Sequence, residues 1–265
     1  MSAAASRTAA LGDRDRVGLV FVAEMYGVQL DQLGALLALS DRQARALAAG
    51  WSGRKLADSA LIGPGPAWVW LTRTGLQACG LRYPAVPPAL PRLAHIRATA
   101  AVRLALEAAP GFSAAGAHWR SERRLASRLA GRLGSRQHLP DAEVHWPDAG
   151  VAEPPAWAGE CWAIEVELTA KTITRTVSIM RELLARTGDY GCPAAEASVP
   201  GAPARHARAI YLCSPAAART VRRARDTLGS LAGRIEIREL PASAYLPSPA
   251  RLVRSAPTAS RRGGQ

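Results

Sequence analysis

Apolar positions recur at helical spacing from early in the chain. Residues 13–27, DRDRVGLVFVAEMYG, open on two acids and run to Gly27, which predicts a helix with an acidic cap and a stop near that glycine. In LDQLGALLALSDRQARALAAG, Leu30, Leu33, Leu36 and Leu37 share one face of a short helix. The ALS stretch then predicts a tight turn with Ser40 or Asp41 as N-cap, and residues 41–49 a further helix with Arg42 and Arg45 on its polar side. LADSALI and AWVWLT, separated by the turn GPGP, predict a hairpin.

Helix, short helix, turn, helix, hairpin is the order of a winged helix-turn-helix. In that motif the second helix of the pair enters the major groove and the hairpin touches phosphates. Arg42 and Arg45 are then the recognition-helix candidates, Arg54 and Lys55 follow toward the wing, and Arg73 stands just past the hairpin. An ordinary helical core with a hairpin is the plainer reading of the same pattern.

RYPAVPPALPR, residues 82–92, predicts a semi-rigid linker. LAHIRATAAVRLALEAA after it predicts a long helix with Leu93, Ile96, Ala100 and Leu104 on one face, bridging two domains or pairing with a second copy. His95 on this helix reads as structural or surface-exposed rather than as a ligand. From about residue 117 the pattern changes. A basic amphipathic helix over about 119–133, SERRLASRLAGRL within it, precedes strand-like AEVHW, CWAIEVEL, ARAIYLC and RIEIREL, with helices over 172–187 and 215–229 between them. That alternation predicts a mixed central sheet flanked by helices. Residues 147–160 and 188–206 read as Pro/Gly/Ala-rich loops. The expected organisation is a disordered start (1–12), a winged helix-turn-helix (13–81), a linker with connecting helix (82–116), an α/β domain (117–246) and a basic disordered tail (247–265), an α+β protein overall.

Charge narrows the partner. The 265 residues carry a formal net charge of +13, almost all from arginine, since Lys55 and Lys171 are the only lysines. Such a balance favours a polyanion, here double-stranded DNA. No apolar run approaches the roughly 20 residues that span a bilayer, and the first residues lack the apolar core of a signal peptide, so the expectation is a soluble cytoplasmic protein. A membrane-surface role through the basic tail is disfavoured, because no strongly amphipathic apolar-and-basic helix accompanies it. Cys79, Cys161, Cys192 and Cys213 form no CxxC pair, and the five histidines show no HExxH-type spacing. Both facts argue against a zinc or histidine-based metal site.

The chemistry concentrates in AIEVELTAK, residues 163–171. Side chains alternate along a strand. Trp162, Ile164, Val166 and Leu168 fall on one face, Ala163, Glu165 and Glu167 on the other. Adjacent carboxylates repel unless something neutralises them. A divalent metal does so, as do arginines around a solvated strand face. Asp141, after Pro140 at the start of the preceding strand, converges with Glu165 if the two strands are neighbours, and Glu122 stands upstream in the basic helix. Magnesium takes such oxygen ligands. Without the ion the clustered acids are expected to cost stability, so that removing Asp141 and Glu165 together stabilises the metal-free chain.

Glu122, Pro140–Asp141, Glu165 and Glu167, in that order and followed by a helix, resemble the PD-(D/E)xK restriction-endonuclease-like superfamily. LTRTGL, HIRATAAVRLALE and IEVELTAK extend the likeness over roughly residues 15–230, which looks like the replication-relaxation proteins of actinobacterial plasmids and mobile elements. The resemblance implies Mg²⁺ or Mn²⁺ held by Asp141, Glu165 and the Val166 carbonyl, and cleavage leaving a 5′-phosphate. Glu167 would order a second metal or a water, and Glu122 would serve as an outer ligand. The motif has lysine where this chain has Glu167, and Lys171 is placed to supply that cation from four residues on. Two functions follow: a metal-dependent DNA endonuclease acting in replication, relaxation or transfer, or a non-catalytic DNA-binding accessory factor or transcriptional regulator on a degenerate nuclease fold. A homodimer, or replication and transfer proteins, are the further partners expected.

Overall fold

Asp13 and Asp15 place negative charge in the first turn of α1 (Asp13–Glu24), where the helix dipole favours it. The helix stops at Tyr26 and Gly27, both at positive φ, and the Gly27 N–H returns to the Val22 carbonyl. The computed structural model describes residues 11–128, 138–147, 157–185 and 206–246. The expected disorder of residues 1–10 and 247–265, the far end of the basic helix and most of both expected loops lie outside them.

After α1 come β1 (Val28–Gln29), α2 (Leu30–Leu37) and α3 (Asp41–Gly53). Ser40 is the cap of α3: its side chain accepts the Gln43 N–H, and Gln43 reaches back to the Ser40 N–H. Such a box is worth about 1 kcal/mol. The predicted hairpin is β2 (Ala57–Ala60) and β3 (Trp68–Leu71), antiparallel, with β1 on the other edge of β3. Two residues of β1 are too short to leave a periodic signal. Thr72 caps α4 (Arg73–Ala78) by accepting the Gly75 N–H. Gly75 is required there, because a Cβ would overlap the Leu56 carbonyl oxygen. Trp51, fully buried, anchors this unit among Leu19, Phe21, Val22, Leu33 and Val69.

α5 (Leu93–Glu107) does more than connect. Ala100 and Leu104 pack into the N-terminal core, as their helical spacing predicts. Ala98, Ala101 and Val102, on the other side, pack into the core of the second sheet. Small side chains let both layers approach the one helix. Arg97 is buried and forks onto Asp31 at 2.7 and 3.1 Å and onto Gln29 at 2.6 Å, fastening α5 to β1 and α2. The proline-rich stretch before α5 is likewise engaged: the Pro84 carbonyl accepts from Arg123, whose guanidinium also lies over the Tyr26 and Tyr83 rings.

A short helix α6 (Pro110–Ala114) leads into the second sheet. Its five strands run in the order β4 (His118–Ser121), β5 (Ala142–His145), β6 (Cys161–Glu167), β7 (Arg208–Cys213), β8 (Ile235–Glu239). β4, β5 and β6 are antiparallel neighbours; β6, β7 and β8 are parallel. The chain is therefore a mixed α+β protein with a mixed five-stranded sheet. Trp119, Val144, Trp162, Ile164 and Val166 face α5. Ala163, Ala209, Tyr211 and Ile235 face α8 (Ile173–Ala185) and α9 (Pro215–Asp226). The expected helix over 119–133 is corrected at its start. His118–Ser121 pair with β5, and α7 covers Glu122–Arg128. Burial of Trp119 against the sheet outweighs local helix propensity there.

Candidate active site

The strand register builds a row of acids across one end of the sheet. Ser121 lies opposite Ala142, and Ala142 opposite Ile164. One step further along sets Glu122, Asp141 and Glu165 in line, and the Glu122 N–H donates to the Asp141 carbonyl at 2.9 Å. Glu165 in turn lies beside Tyr211. The row sits toward the carboxyl ends of the parallel strands, where open sheets bind ligands.

Each acid has a partner. One Asp141 oxygen faces His95 Nε2 at 2.7 Å and the other accepts the Val166 N–H at 2.7 Å. Burial pushes the Asp141 carboxyl up, but His95 and the Val166 N–H outweigh it and hold the group below the ordinary carboxylate range. Asp141 in turn raises His95, against the opposing effect of burial. Glu165 Oε1 faces His138 Nε2 at 2.8 Å, and the His138 backbone N–H donates to Glu182. Here burial wins: helped by the charges of Asp141 and Glu167, it raises the Glu165 carboxyl to about 7 despite His138. Glu167 pairs with Lys171, which lies between β6 and α8. Glu122 pairs with Arg92 at 2.7 Å.

A cavity of about 20 Å³ opens beside the row, lined by Asp141, Glu122, His95, Arg92 and Tyr26 among others. That is room for roughly one water. Glu165 and Glu167 are 2% and 4% exposed. They lie under α8 and α9, so the alternative of a solvated strand face balanced by arginines is overturned.

Val166, expected as a carbonyl ligand, offers its N–H to Asp141. A strand residue sends its N–H and C=O off the same edge, and the neighbouring Glu167 carbonyl accepts from Ser214 on the β7 side. The Val166 carbonyl therefore belongs to the Asp141 edge. His138 is the residue that sequence reading missed, and the contact of His95, read as structural or surface-exposed, with Asp141 was not foreseen. His138 stands three residues before Asp141 in HLPD, a proximity visible in the sequence but without a chemical signature of its own.

Of the DNA-contact candidates, Arg42 and Arg45 on α3, Lys55 after it and Arg73 at the start of α4 are exposed. Arg54 is exposed but pairs with Asp15 at 2.6 Å. Arg123, on the expected basic amphipathic helix, is not a surface cation: it is buried and bonded to the Ala23 and Pro84 carbonyls. Arg124 approaches Glu24 at 3.4 Å. No helix among the described residues is long and apolar enough to cross a membrane.

A second polar group lies elsewhere on the α8/α9 face of the sheet. Donor atoms of Glu143, Cys161 and His206, all buried, come within 4.8 Å of one another. Their wide sequence separation conceals this from any spacing rule. No family of known proteins, no characterised protein and no solved structure matches the chain.

Proposed function

We propose that the chain binds double-stranded DNA through a winged helix-turn-helix over residues 13–81 and hydrolyses a phosphodiester at a PD-(D/E)xK-like site, as in replication-relaxation proteins of mobile elements. The observation that carries the reading is the Asp141–Glu165 row at the carboxyl end of the parallel strands, with Lys171 beside it. The donor set fits Mg²⁺ or Mn²⁺. It is all oxygen, and burial, helped by the charges of Asp141 and Glu167, raises Glu165, a penalty that a bound dication would offset. Asp141, Glu165 and the Val166 carbonyl hold the ion. Bound there, it supplies an acidified water and neutralises phosphate charge.

The protein's own groups prepare that chemistry. Val166 fixes Asp141 in place, and His95 and His138 face the two carboxylates at 2.7 and 2.8 Å, where an ion would compete with them. Lys171, held by Glu167, brings an ammonium to the same end of β6. Exposed Arg42, Arg45, Lys55 and Arg73 supply phosphate contacts on the N-terminal unit.

The test is nicking of supercoiled plasmid with Mg²⁺ or Mn²⁺. Activity in the wild type and none in folded Asp141→Ala supports the reading; equal activity in both removes Asp141 from it. A second reading, a non-catalytic DNA-binding accessory factor, is favoured by one observation: both Asp141 oxygens and one of Glu165 are already bonded within the protein. DNA binding without metal-dependent nicking by the wild type selects it.

A further inference from the structure

The Glu143–Cys161–His206 cluster is separate from the acid row. Cys161 begins β6, whereas Glu165 and Glu167 lie at its far end, and His206 precedes β7. Glu143, Cys161 and His206 are 0%, 5% and 4% exposed. Glu143 Oε1 faces His206 Nε2 at 2.9 Å, and Oε2 faces His145 Nε2 at 2.9 Å. The same His145 nitrogen lies 3.7 Å from Cys161 Sγ. Oxygen, sulfur and imidazole nitrogen thus converge from β5, β6 and the entry to β7.

Hydrogen placement narrows what can stand between His206 and Glu143. His206 Nδ1 lies 2.9 Å from the Leu183 carbonyl, an acceptor only, so Nδ1 carries a hydrogen. In a neutral ring Nε2 is then a lone pair, and it points at a Glu143 oxygen. Two lone pairs face each other unless a cation or an additional proton stands between them. A backbone carbonyl on the far nitrogen is also how metal-binding histidines are oriented.

We propose that Glu143, Cys161 and His206 hold a zinc ion. A thiolate and a carboxylate cancel the charge of the dication, leaving a neutral centre suited to full burial. One sulfur, one oxygen and one imidazole are donors that zinc accepts. Magnesium and calcium select oxygen instead. Burial of all three protein donors makes the site structural rather than open to substrate. It ties β5, β6 and the segment entering β7 together and, through Leu183, positions α8. This assignment does not depend on the phosphodiesterase reading.

The test uses the full chain purified without chelator. About one zinc per chain is expected by elemental analysis. Co²⁺ exchanged into the site should give the near-ultraviolet thiolate-to-cobalt band and the visible bands of a tetrahedral centre. Cys161→Ser should abolish the former and weaken Zn²⁺ binding by more than the roughly 10–100-fold typical of losing an outer-shell partner. Chelation should lower Tm, and Zn²⁺ should restore it. Asp141→Ala should keep its zinc, which separates this site from the acid row. If Cys161→Ser does not fold, the wild-type cobalt spectrum decides alone. A folded metal-free wild type that gains no thiolate band with Co²⁺ and no Tm with Zn²⁺ would overturn the proposal. The cluster would then be a hydrogen-bonded network held by protons, with Arg120, opposite Glu143 in the register, contributing charge.

Discussion

Asp141 holds the Val166 N–H at 2.7 Å with one carboxylate oxygen and His95 at 2.7 Å with the other. One side chain therefore joins the start of β5, the end of β6 and α5. The sequence pattern presents Asp141 as a repelled member of an acid cluster, whose removal relieves the metal-free protein. The structure reverses that for this residue. Asp141→Ala leaves the Val166 N–H and His95 without their acceptor, and unfolding of metal-free protein should become easier by about 2–3 kcal/mol. Asp141→Asn keeps an acceptor for Val166 and should lose less. A metal-free Asp141→Ala as stable as wild type in urea titrations would mean that the two bonds contribute nothing.

Asp15 gives a pH-dependent counterpart in the N-terminal unit. It accepts from Trp51 Nε1 at 2.8 Å and from Arg54 at 2.6 Å. Burial pushes its carboxyl up, but those two donors outweigh burial and hold it below the ordinary 3.8. A depressed acid stabilises the fold above its unfolded-state pKa, and that stability is lost as pH falls through the lower folded value. Asp15→Asn should therefore be less stable than wild type at pH 7, by about 1 kcal/mol. The gap should narrow below pH 3.8. A gap independent of pH would show that the charge of Asp15 is irrelevant.

Gly75 tests the packing of the same unit. A Cβ there overlaps the Leu56 carbonyl oxygen and lies 2.8 Å from its carbon. Backbone cannot swing aside as a side chain does, so Gly75→Ala should cost about 1–3 kcal/mol or more. Gly50, with nothing within 4 Å of an added Cβ, is the control, and Gly50→Ala should be neutral or stabilising. Similar thermal midpoints for the two variants would contradict the close approach.

These residues also show what the sequence could and could not reveal. Ser40, the two faces of β6 and the β2–β3 hairpin announce themselves through local chemistry and period, which is why those elements are where the pattern puts them. Glu167 and Lys171 are four apart, and their pairing is legible too. His95 and His138 reach their acids across 46 and 27 residues. Glu143, Cys161 and His206 meet only because β5, β6 and β7 are neighbours. Such contacts depend on strand order, which a single sequence does not encode locally. Trp119 failed as a helix residue for the same reason: its strand partner is Val144.

The proposed DNA binding by the N-terminal unit carries its own measurement. Arg42 and Arg45 are exposed on α3, and each phosphate contact adds about 0.9 to the slope of log K against log salt. Arg42→Ala/Arg45→Ala should weaken duplex binding at low salt and flatten that slope by about 2. An unchanged slope in the folded double variant would take α3 off the DNA.

The proposed likeness to the PD-(D/E)xK pattern, with its departure at Glu167, can be tested by moving a charge. Glu167 occupies the place where the motif has lysine, and Lys171 pairs with it from between β6 and α8. Glu167→Lys alone sets two ammonium groups side by side. It also removes one of the two carboxylates that help raise Glu165, so it changes both charge balance and site. The exchange Glu167→Lys/Lys171→Glu keeps the pair and places the cation on the strand beside Glu165. If Lys171 serves the proposed phosphodiester chemistry from its displaced position, the exchanged protein should nick supercoiled plasmid with Mn²⁺ at least as well as wild type, while Lys171→Ala should lose nicking and keep DNA binding. Wild-type nicking in Lys171→Ala would show that the cation is structural. Nicking that appears only in the exchanged protein would identify Glu167 as the residue that silences the site, and the wild type as the binding protein of the second reading.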